Sequence, residues 1–351
     1  MKSTSLSEID FELPLELIAQ EALQSRSKSR LLHLDRNTGR RTHGCVSDLP
    51  SFLRSGDLLV VNNSKVFPAR IFGRRDPSGG RVECLLLTRF DDGRWDVLIH
   101  PGQKMKVGER ATFGEGDAEL ELQVLEQHYY GRRTVTLQVN GPYDLDSVID
   151  RIGKTPLPPY IKRPPADSDR ERYQTIFAKV RGSIAAPTAG LHFTQELIAD
   201  LASAGIEKTE VTLHVGYGTF QPIRAENVQG HRVAPEWFEV TAAAAAKINS
   251  ALDEGRRVVA VGTTTTRVLE SVAQIEGGRL VSSSGSTELY IQPGFRFLVV
   301  GALVTNFHLP QSSLLVLAAT FADRELLLKA YAEAVANRYR FYSYGDAMLI
   351  T

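Results

Sequence analysis

Two apolar runs, each breaking into a small-residue turn that carries a histidine, constrain this chain more than any other feature. They bound the stretch Gly182–Phe220, which reads GSIAAPTAGLHFTQELIADLASAGIEKTEVTLHVGYGTF. Ser183–Ala186 and Val211–Val215 are predicted strands. Between them Leu197, Ile198 and Leu201 recur at helical spacing, so Gln195–Ala204 is a predicted helix, with Thr194 to cap it and Gly205 to end it. A strand–helix–strand unit implies an open α/β sheet, where ligands bind in loops beyond the carboxyl ends of the strands. Those loops contain Pro187, Thr188, Gly190, His192 and Phe193 in the first turn. The second turn contains His214, Gly216, Gly218, Thr219 and Phe220. Turn chemistry explains either loop alone; two in one unit point to a ligand.

The remaining segments extend this reading. A short helix is predicted at Leu15–Ala19, and strands at Leu31–Leu34 and Asp57–Val61, the latter followed by Asn62 and Asn63. From about residue 71 to 140 the helical period vanishes. Val82–Thr88, Trp95–Ile99, Ala118–Leu125 and Thr134–Val139 read as strands, and Arg70–Gly73 and Arg110–Phe113 add two more. Short strands at this spacing predict a small β-barrel. The expected fold class is therefore α/β: a discontinuous main domain over 1–70 and 141–351, with an inserted β-barrel domain over 71–140. Residues 156–181 form a proline-rich arm that no regular helix can occupy. Further on, Thr241–Gly255 is an alanine-rich helix, and Val258–Val261 is a buried strand. The run Gly262-Thr263-Thr264-Thr265-Thr266-Arg267 follows as a turn before a helix at Val268–Gln274. Hydroxyl and backbone donors at a helix start make an anion site. Thr287–Ile291 and Phe297–Val304 are predicted strands, and helices are predicted from Ser312 and at Arg324–Arg338.

Composition excludes some classes of function. Lysine plus arginine and aspartate plus glutamate balance at 41 each, so no global field draws the chain to nucleic acid, and RNA binding requires a local basic patch. Two cysteines, Cys45 and Cys84, fit neither a disulfide framework nor a zinc spacing. The polar, acidic start is not a signal peptide, and the apolar run at Leu314–Ala319 is too short to span a bilayer. A cytoplasmic, monomeric protein with no membrane association is expected. Four histidines, His192, His214, His231 and His308, sit at or just after predicted strand ends; without metal-ligand spacing they suit acid–base chemistry, and no metal site is expected. Aromatics crowd the same loops and can hold a cation or stack a base. Two other classes of function remain open: an α/β methyltransferase, from the Gly216-Tyr217-Gly218 turn, and a non-catalytic RNA-binding protein built on the barrel.

The combination AAPTAGLHFT, TLHVGYGTF, VGTTTTR, TNFHLP and YRFYSYGDAMLI, with FELPLELIAQ, GDLLVVNNSKVFPARIFG, WDVLIHPGQKMKVGE and LPPYIKR, closely resembles the S-adenosylmethionine:tRNA ribosyltransferase-isomerase family of queuosine biosynthesis. The resemblance spans nearly the whole chain. It implies a transferase that moves and isomerises the ribosyl group of S-adenosylmethionine onto the 7-aminomethyl-7-deazaguanine at the tRNA wobble position. Epoxyqueuosine forms, and adenine and methionine are released. S-Adenosylmethionine would be a co-substrate, with no prosthetic group, and the tRNA anticodon loop the partner. On this resemblance His192 or His214 would remove a C5′ proton, and His231, Glu236 or Asp346 would assist adenine departure. Phe193, Phe220, Tyr342 or Tyr344 would face the sulfonium, and Thr263, Thr264 and Arg267 would hold the methionine carboxylate. Pro187, Thr188, Gly190, Gly216, Gly218, Thr219, Asn306 and His308 would complete the S-adenosylmethionine site. Lys65, Arg70, Lys162, Arg163 and Arg340 would meet phosphates. The chain departs from the family pattern at Ser27, where an aspartate is usual after arginine, and at Ala234, where a second histidine is usual after His231.

Overall fold

The computed structural model describes residues 4–220 and 222–351, apart from the side chains of Glu115 and Phe220, so the expected role of Phe220 lies outside the described residues. The chain divides into two compact units. One comprises Met1–Lys65, Pro158–Arg163 and Arg172–Thr351; the other comprises Val66–Leu157 and Pro164–Glu171.

In chain order the first unit begins with strands β1 (Arg30–Leu34), β2 (Arg41–Cys45) and β3 (Leu58–Asn62), with a short helix α1 (Leu49–Phe52) before β3, and β4 (Ser64–Val66) after it. The second unit supplies β5 (Arg70–Asp76), β6 (Arg81–Arg89), β7 (Trp95–His100), β8 (Arg110–Glu115), β9 (Ala118–Gln127) and β10 (Arg132–Asn140), then helices α2 (Leu145–Ile152) and α3 (Asp169–Arg172). The first unit resumes with β11 (Val180–Ser183), α4 (Gln195–Ser203), β12 (Glu207–Leu213), β13 (Glu236–Val240), α5 (Ala242–Asp253), β14 (Val258–Val261) and α6 (Thr263–Ile275). It ends with β15 (Ser283–Thr287), β16 (Val300–Asn306), α7 (Ser313–Ala322), α8 (Arg324–Ala336) and β17 (Ala347–Ile350).

Nine of these strands form one mixed sheet in the order β15-β13-β12-β3-β14-β16-β17-β1-β2. Its centre, β12-β3-β14-β16, is parallel. Central parallel strands are covered on both faces and read as unbroken apolar runs. Accordingly, Leu58 and Val60 of β3 enter one core while Leu59 and Val61 enter the core on the opposite face. The carboxyl ends of these four strands, at Asn62, Leu213, Val261 and Asn306, lie side by side.

The second unit is a closed antiparallel barrel, ordered β10-β7-β6-β5-β8-β9. The six predicted runs fall on these strands. Along β9 buried and half-exposed residues alternate, as a strand with one face inward requires. The unit reaches beyond 71–140, since β5 starts at Arg70 and α2, capped by Asp144, packs on β5, β9 and β10.

Several expectations need correction. The first strand of the opening motif is Val180–Ser183, not Ser183–Ala186, and it pairs with β4 in a separate two-stranded sheet. Ile184 and Ala185 both donate to Val215 O, and Ser183 Oγ accepts from Val215 N, so this segment is a loop braced on the next turn. The second strand is Glu207–Leu213 rather than Val211–Val215. The four threonines are not a turn but the opening of α6, where Thr265 and Thr266 hydroxyls donate to Val261 O and Gly262 O. Thr287 ends a strand instead of beginning one. Strands β2, β4, β13 and β17 lie outside the predicted set, Leu15–Leu17 forms only a 3-10 turn, and Asp169–Arg172 makes one helical turn inside the arm expected to hold no helix, beyond its densest prolines.

Candidate active site

The parallel strand ends of the first unit open onto one cavity. It is lined by Pro187, Thr188, Thr219, Thr263, Thr264, Asn306, His308 and Tyr342 among the expected residues. Tyr160, Thr305 and Ser343 join them. Two asparagines at equivalent positions hold the frame. At the end of β3, Asn62 Nδ2 donates to Leu213 O at 3.0 Å and to Thr264 Oγ1 at 3.3 Å, while its Oδ1 accepts from Ser64 N and Leu213 N. At the end of β16, Asn306 Nδ2 donates to His192 Nε2 at 3.0 Å and Tyr342 O at 3.1 Å. Gly262 joins β14 to α6 with φ of 93°, a conformation that favours glycine.

The aromatic part of the wall is Tyr342, whose ring lies 3.9 Å from that of Tyr160 at 33°. Its backbone has φ of 76° and is held by Tyr342 N donating to Phe307 O. Among the described residues Tyr342 Oη is buried without a hydrogen-bond partner.

A second recess shares Thr219 and Leu314 with this cavity and adds Gly218, His231, Ala234, Glu236, Arg267 and Tyr290. Glu236 and Arg267 form a buried ion pair. Glu236 Oε1 also accepts from Gly216 N at 2.8 Å and Thr219 Oγ1 at 3.3 Å, and Arg267 donates to Leu289 O and Thr287 O. The pair therefore ties the glycine turn to β13, α6 and the segment after β15. The turn itself enters a 3-10 segment, Tyr217–Phe220, and no α-helix starts there, as a methyltransferase-type glycine loop requires.

The four histidines differ in their freedom. His192 Nε2 is engaged by Asn306, and burial with the Arg26 and Arg340 charges lowers its pKa to about 4. His308 Nε2 meets Thr305 Oγ1 at 2.8 Å, and burial lowers its pKa to about 3. His214 Nδ1 meets Ser64 Oγ at 2.7 Å; the ring stacks on Trp237, and burial lowers its pKa to about 4. Val215 faces the cavity and His214 does not; Gly182 passes so near the His214 ring that a Cβ would lie 2.4 Å from Nε2. His231 has no side-chain hydrogen bond among the described residues, sits edge-on to Tyr290 at 5.2 Å, and has its pKa lowered by burial.

Other expected residues stand apart. Phe193 packs on Phe177 in the core, Gly190 packs against Thr175, and Tyr344 meets Tyr173 edge-on. Asp346 is buried, where it accepts from the backbone of Arg30 and Arg340 and from the Arg30 guanidinium. Lys65 and Lys162 are exposed; Arg163 donates to Gln20 O and Arg340 to Glu21 O. In the barrel unit, Arg70 pairs with Glu83 at 3.4 Å.

Comparison with known proteins bears on what this cavity serves. The family model for the queuosine biosynthesis protein matches residues 6–350. The chain belongs to this family. Among curated family members, the S-adenosylmethionine:tRNA ribosyltransferase-isomerase of Carboxydothermus hydrogenoformans is 50% identical, covering 98% of this chain and 99% of that protein. The protein of the same name from Caldanaerobacter subterraneus is 46% identical over the same shares. The crystal structure of S-adenosylmethionine tRNA ribosyltransferase from Thermotoga maritima is 38% identical and covers 98% of this chain and all of that one, with a TM-score of 0.56. Membership agrees with the mixed α/β sheet and closed barrel. Among the described residues no cluster of three or more His, Cys, Asp or Glu side chains can hold a metal, and no helix is long and apolar enough to cross a membrane.

Proposed function

We propose that the chain is a tRNA ribosyltransferase-isomerase that uses S-adenosylmethionine as co-substrate and acts on a 7-aminomethyl-7-deazaguanine at the wobble position, releasing adenine and methionine. The observation that carries this reading is the near full-length match, at 50% identity, to a relative bearing that name. The methyltransferase and RNA-binding alternatives have no such support.

In this reading the cavity at the strand ends holds S-adenosylmethionine. The amino end of α6, with the Thr264 hydroxyl, takes the methionine carboxylate, since unpaired N–H groups and the helix dipole favour an anion there. Arg267 is spent on Glu236 and does not clamp that carboxylate. The Tyr342 ring, backed by Tyr160, faces the sulfonium as a cation–π partner. His192 and His308, neutral at physiological pH, act as fixed hydrogen-bonding groups. His231, whose ring nitrogens have no partner among the described residues, exchanges the proton in the chemical steps, from C5′ or to departing adenine. Glu236 positions the Gly216–Thr219 loop through its accepted hydrogen bonds. An anticodon-loop base is already unpaired, so bringing it to the ribose costs less than extraction from a duplex. Lys65, Lys162 and Arg340 take phosphates, and the protein works as a cytoplasmic monomer. Incubation of the protein with S-adenosylmethionine and precursor-bearing tRNA is expected to release adenine and methionine. Release of S-adenosylhomocysteine would overturn the reading.

A further inference from the structure

The barrel carries a feature that its own stability does not explain. On its outer face Arg74 of β5 stands directly opposite Arg81 of β6, with Thr112 of β8 on the other side of Arg74. Like charges facing each other across a ladder are destabilising. Neither arginine has a carboxylate partner among the described residues; Arg74 donates only to Gly79 O, at 3.2 Å. Two residues along the same face, Phe72 stands opposite Glu83, and Glu83 opposite His100. Phe72 is 51% exposed, although aromatic rings of barrels usually point inward or into a partner. The Glu83 charge is answered by Arg70. These side chains line one open groove.

We propose that this face is a nucleic-acid contact: Phe72 stacks an unpaired base of the tRNA, and Arg74 and Arg81 take the adjoining phosphates. Same-face positions two residues apart lie about 7 Å from each other on a strand, which lets one nucleotide span ring and guanidinium. Exposed aromatics beside unpaired cations are the pattern of single-stranded binding surfaces, with the ring giving sequence-tolerant stacking. The chain is neutral overall, so its affinity for RNA depends on local patches such as this one. The proposal rests on the tRNA-modifying reading above.

The test is a salt series of tRNA binding to the full chain, with S-adenosylmethionine binding measured alongside as a control for folding. Phe72→Ala is expected to weaken tRNA binding by about ten- to a hundredfold with little change in salt slope. Arg74→Ala/Arg81→Ala is expected to lower the slope of log affinity against log salt by about 1.5. Arg94→Ala, which removes a barrel arginine already paired with Asp92 and Glu126, is expected to change little. Unchanged tRNA binding in the Phe72 and Arg74/Arg81 variants, or an equal loss in Arg94→Ala, would overturn the proposal. So would dissociation of a wild-type dimer by Phe72→Ala, which would make the face a contact between copies. Absence of tRNA binding by the wild-type protein would instead refute the functional reading itself.

Discussion

Removing the Glu236 carboxylate tests whether that residue positions a loop or donates a proton. Its side chain is 5% exposed and its partner Arg267 is 9% exposed, so neither charge has water to fall back on. Breaking a buried pair by deleting one partner costs about 3–5 kcal/mol, mostly because the survivor is left uncompensated. For a unit of this size each kcal/mol shifts the melting temperature by about 2–4 °C, giving an expected fall of roughly 6–20 °C in Glu236→Ala. Glu236→Gln keeps an oxygen for the Gly216 N–H but turns an amide toward a buried guanidinium, and is expected to fall by a similar amount. Turnover is expected to drop with it, because the Gly216–Thr219 loop loses its tether. The double change Glu236→Ala/Arg267→Met removes both charges and is expected to recover most of the melting temperature. Thermal melts followed by circular dichroism, paired with adenine release, check all three. A Glu236→Gln protein that melts as wild type does but turns over a hundredfold slower would refute the positioning role and restore Glu236 as the acid.

His231→Ala is expected to slow turnover by about 10²–10⁴-fold with little change in S-adenosylmethionine affinity, while Ala234→His changes the rate much less; full activity in a folded His231→Ala protein reduces that histidine to packing. Tyr342→Leu is expected to raise the KM for S-adenosylmethionine by about tenfold through loss of the ring face, whereas Tyr342→Phe, which only removes an unpartnered hydroxyl, should match or exceed wild-type stability. Burial lowers the pKa of His192 to about 4 and of His308 to about 3, so below about 6.5 the unfolded chain takes up protons that the folded one refuses. Stability is therefore full above pH 7 and falls as pH drops from about 6.5 toward 4, by about 1.4 kcal/mol per pH unit for each histidine. A urea midpoint that stays flat across that range would count against both buried rings. Deleting 71–140 in a variant that still folds should cost more tRNA affinity than S-adenosylmethionine affinity; equal losses would contradict that division of labour.

The barrel strands were legible because short strand-like runs separated by glycine-rich turns show no helical period, and in β9 one-sided burial adds alternation along most of its length. Buried central strands such as β3 and β14 were legible as apolar runs. Strands whose pairing is decided far away were not. Arg41–Cys45 is half-exposed and takes its form from pairing with β1, and nothing local in Glu236–Val240 announces a partner. The threonines of α6 mislead because short hydroxylated side chains suit turns and caps, yet here two of their hydroxyls donate back into the helix start. Within the candidate site, loop position located Thr264, Asn306 and Tyr342, while side-chain direction was invisible. His214 follows Leu213 and precedes Val215, and only the backbone decides which of them the cavity receives. Arg267 and Glu236 each read as available chemistry; that they consume each other is a fact of three dimensions. Asn62 carried a signal, a polar side chain ending an apolar strand, that turn chemistry alone explained equally well.

The place of β17 has a consequence for how the molecule is made. This strand lies between β16 and β1, pairing antiparallel with one and parallel with the other. Leu31 therefore waits for Ala347, and a ribosome adds roughly three hundred residues between them; contacts this distant in sequence are the slow step of assembly. Until then β1 and β2 are a hairpin cut off from the rest of their sheet, and β16 presents an open edge ready to recruit any passing strand. The nascent chain should need shielding along that edge, and the emergence of β17, not the appearance of the barrel, should mark the moment the large sheet can close.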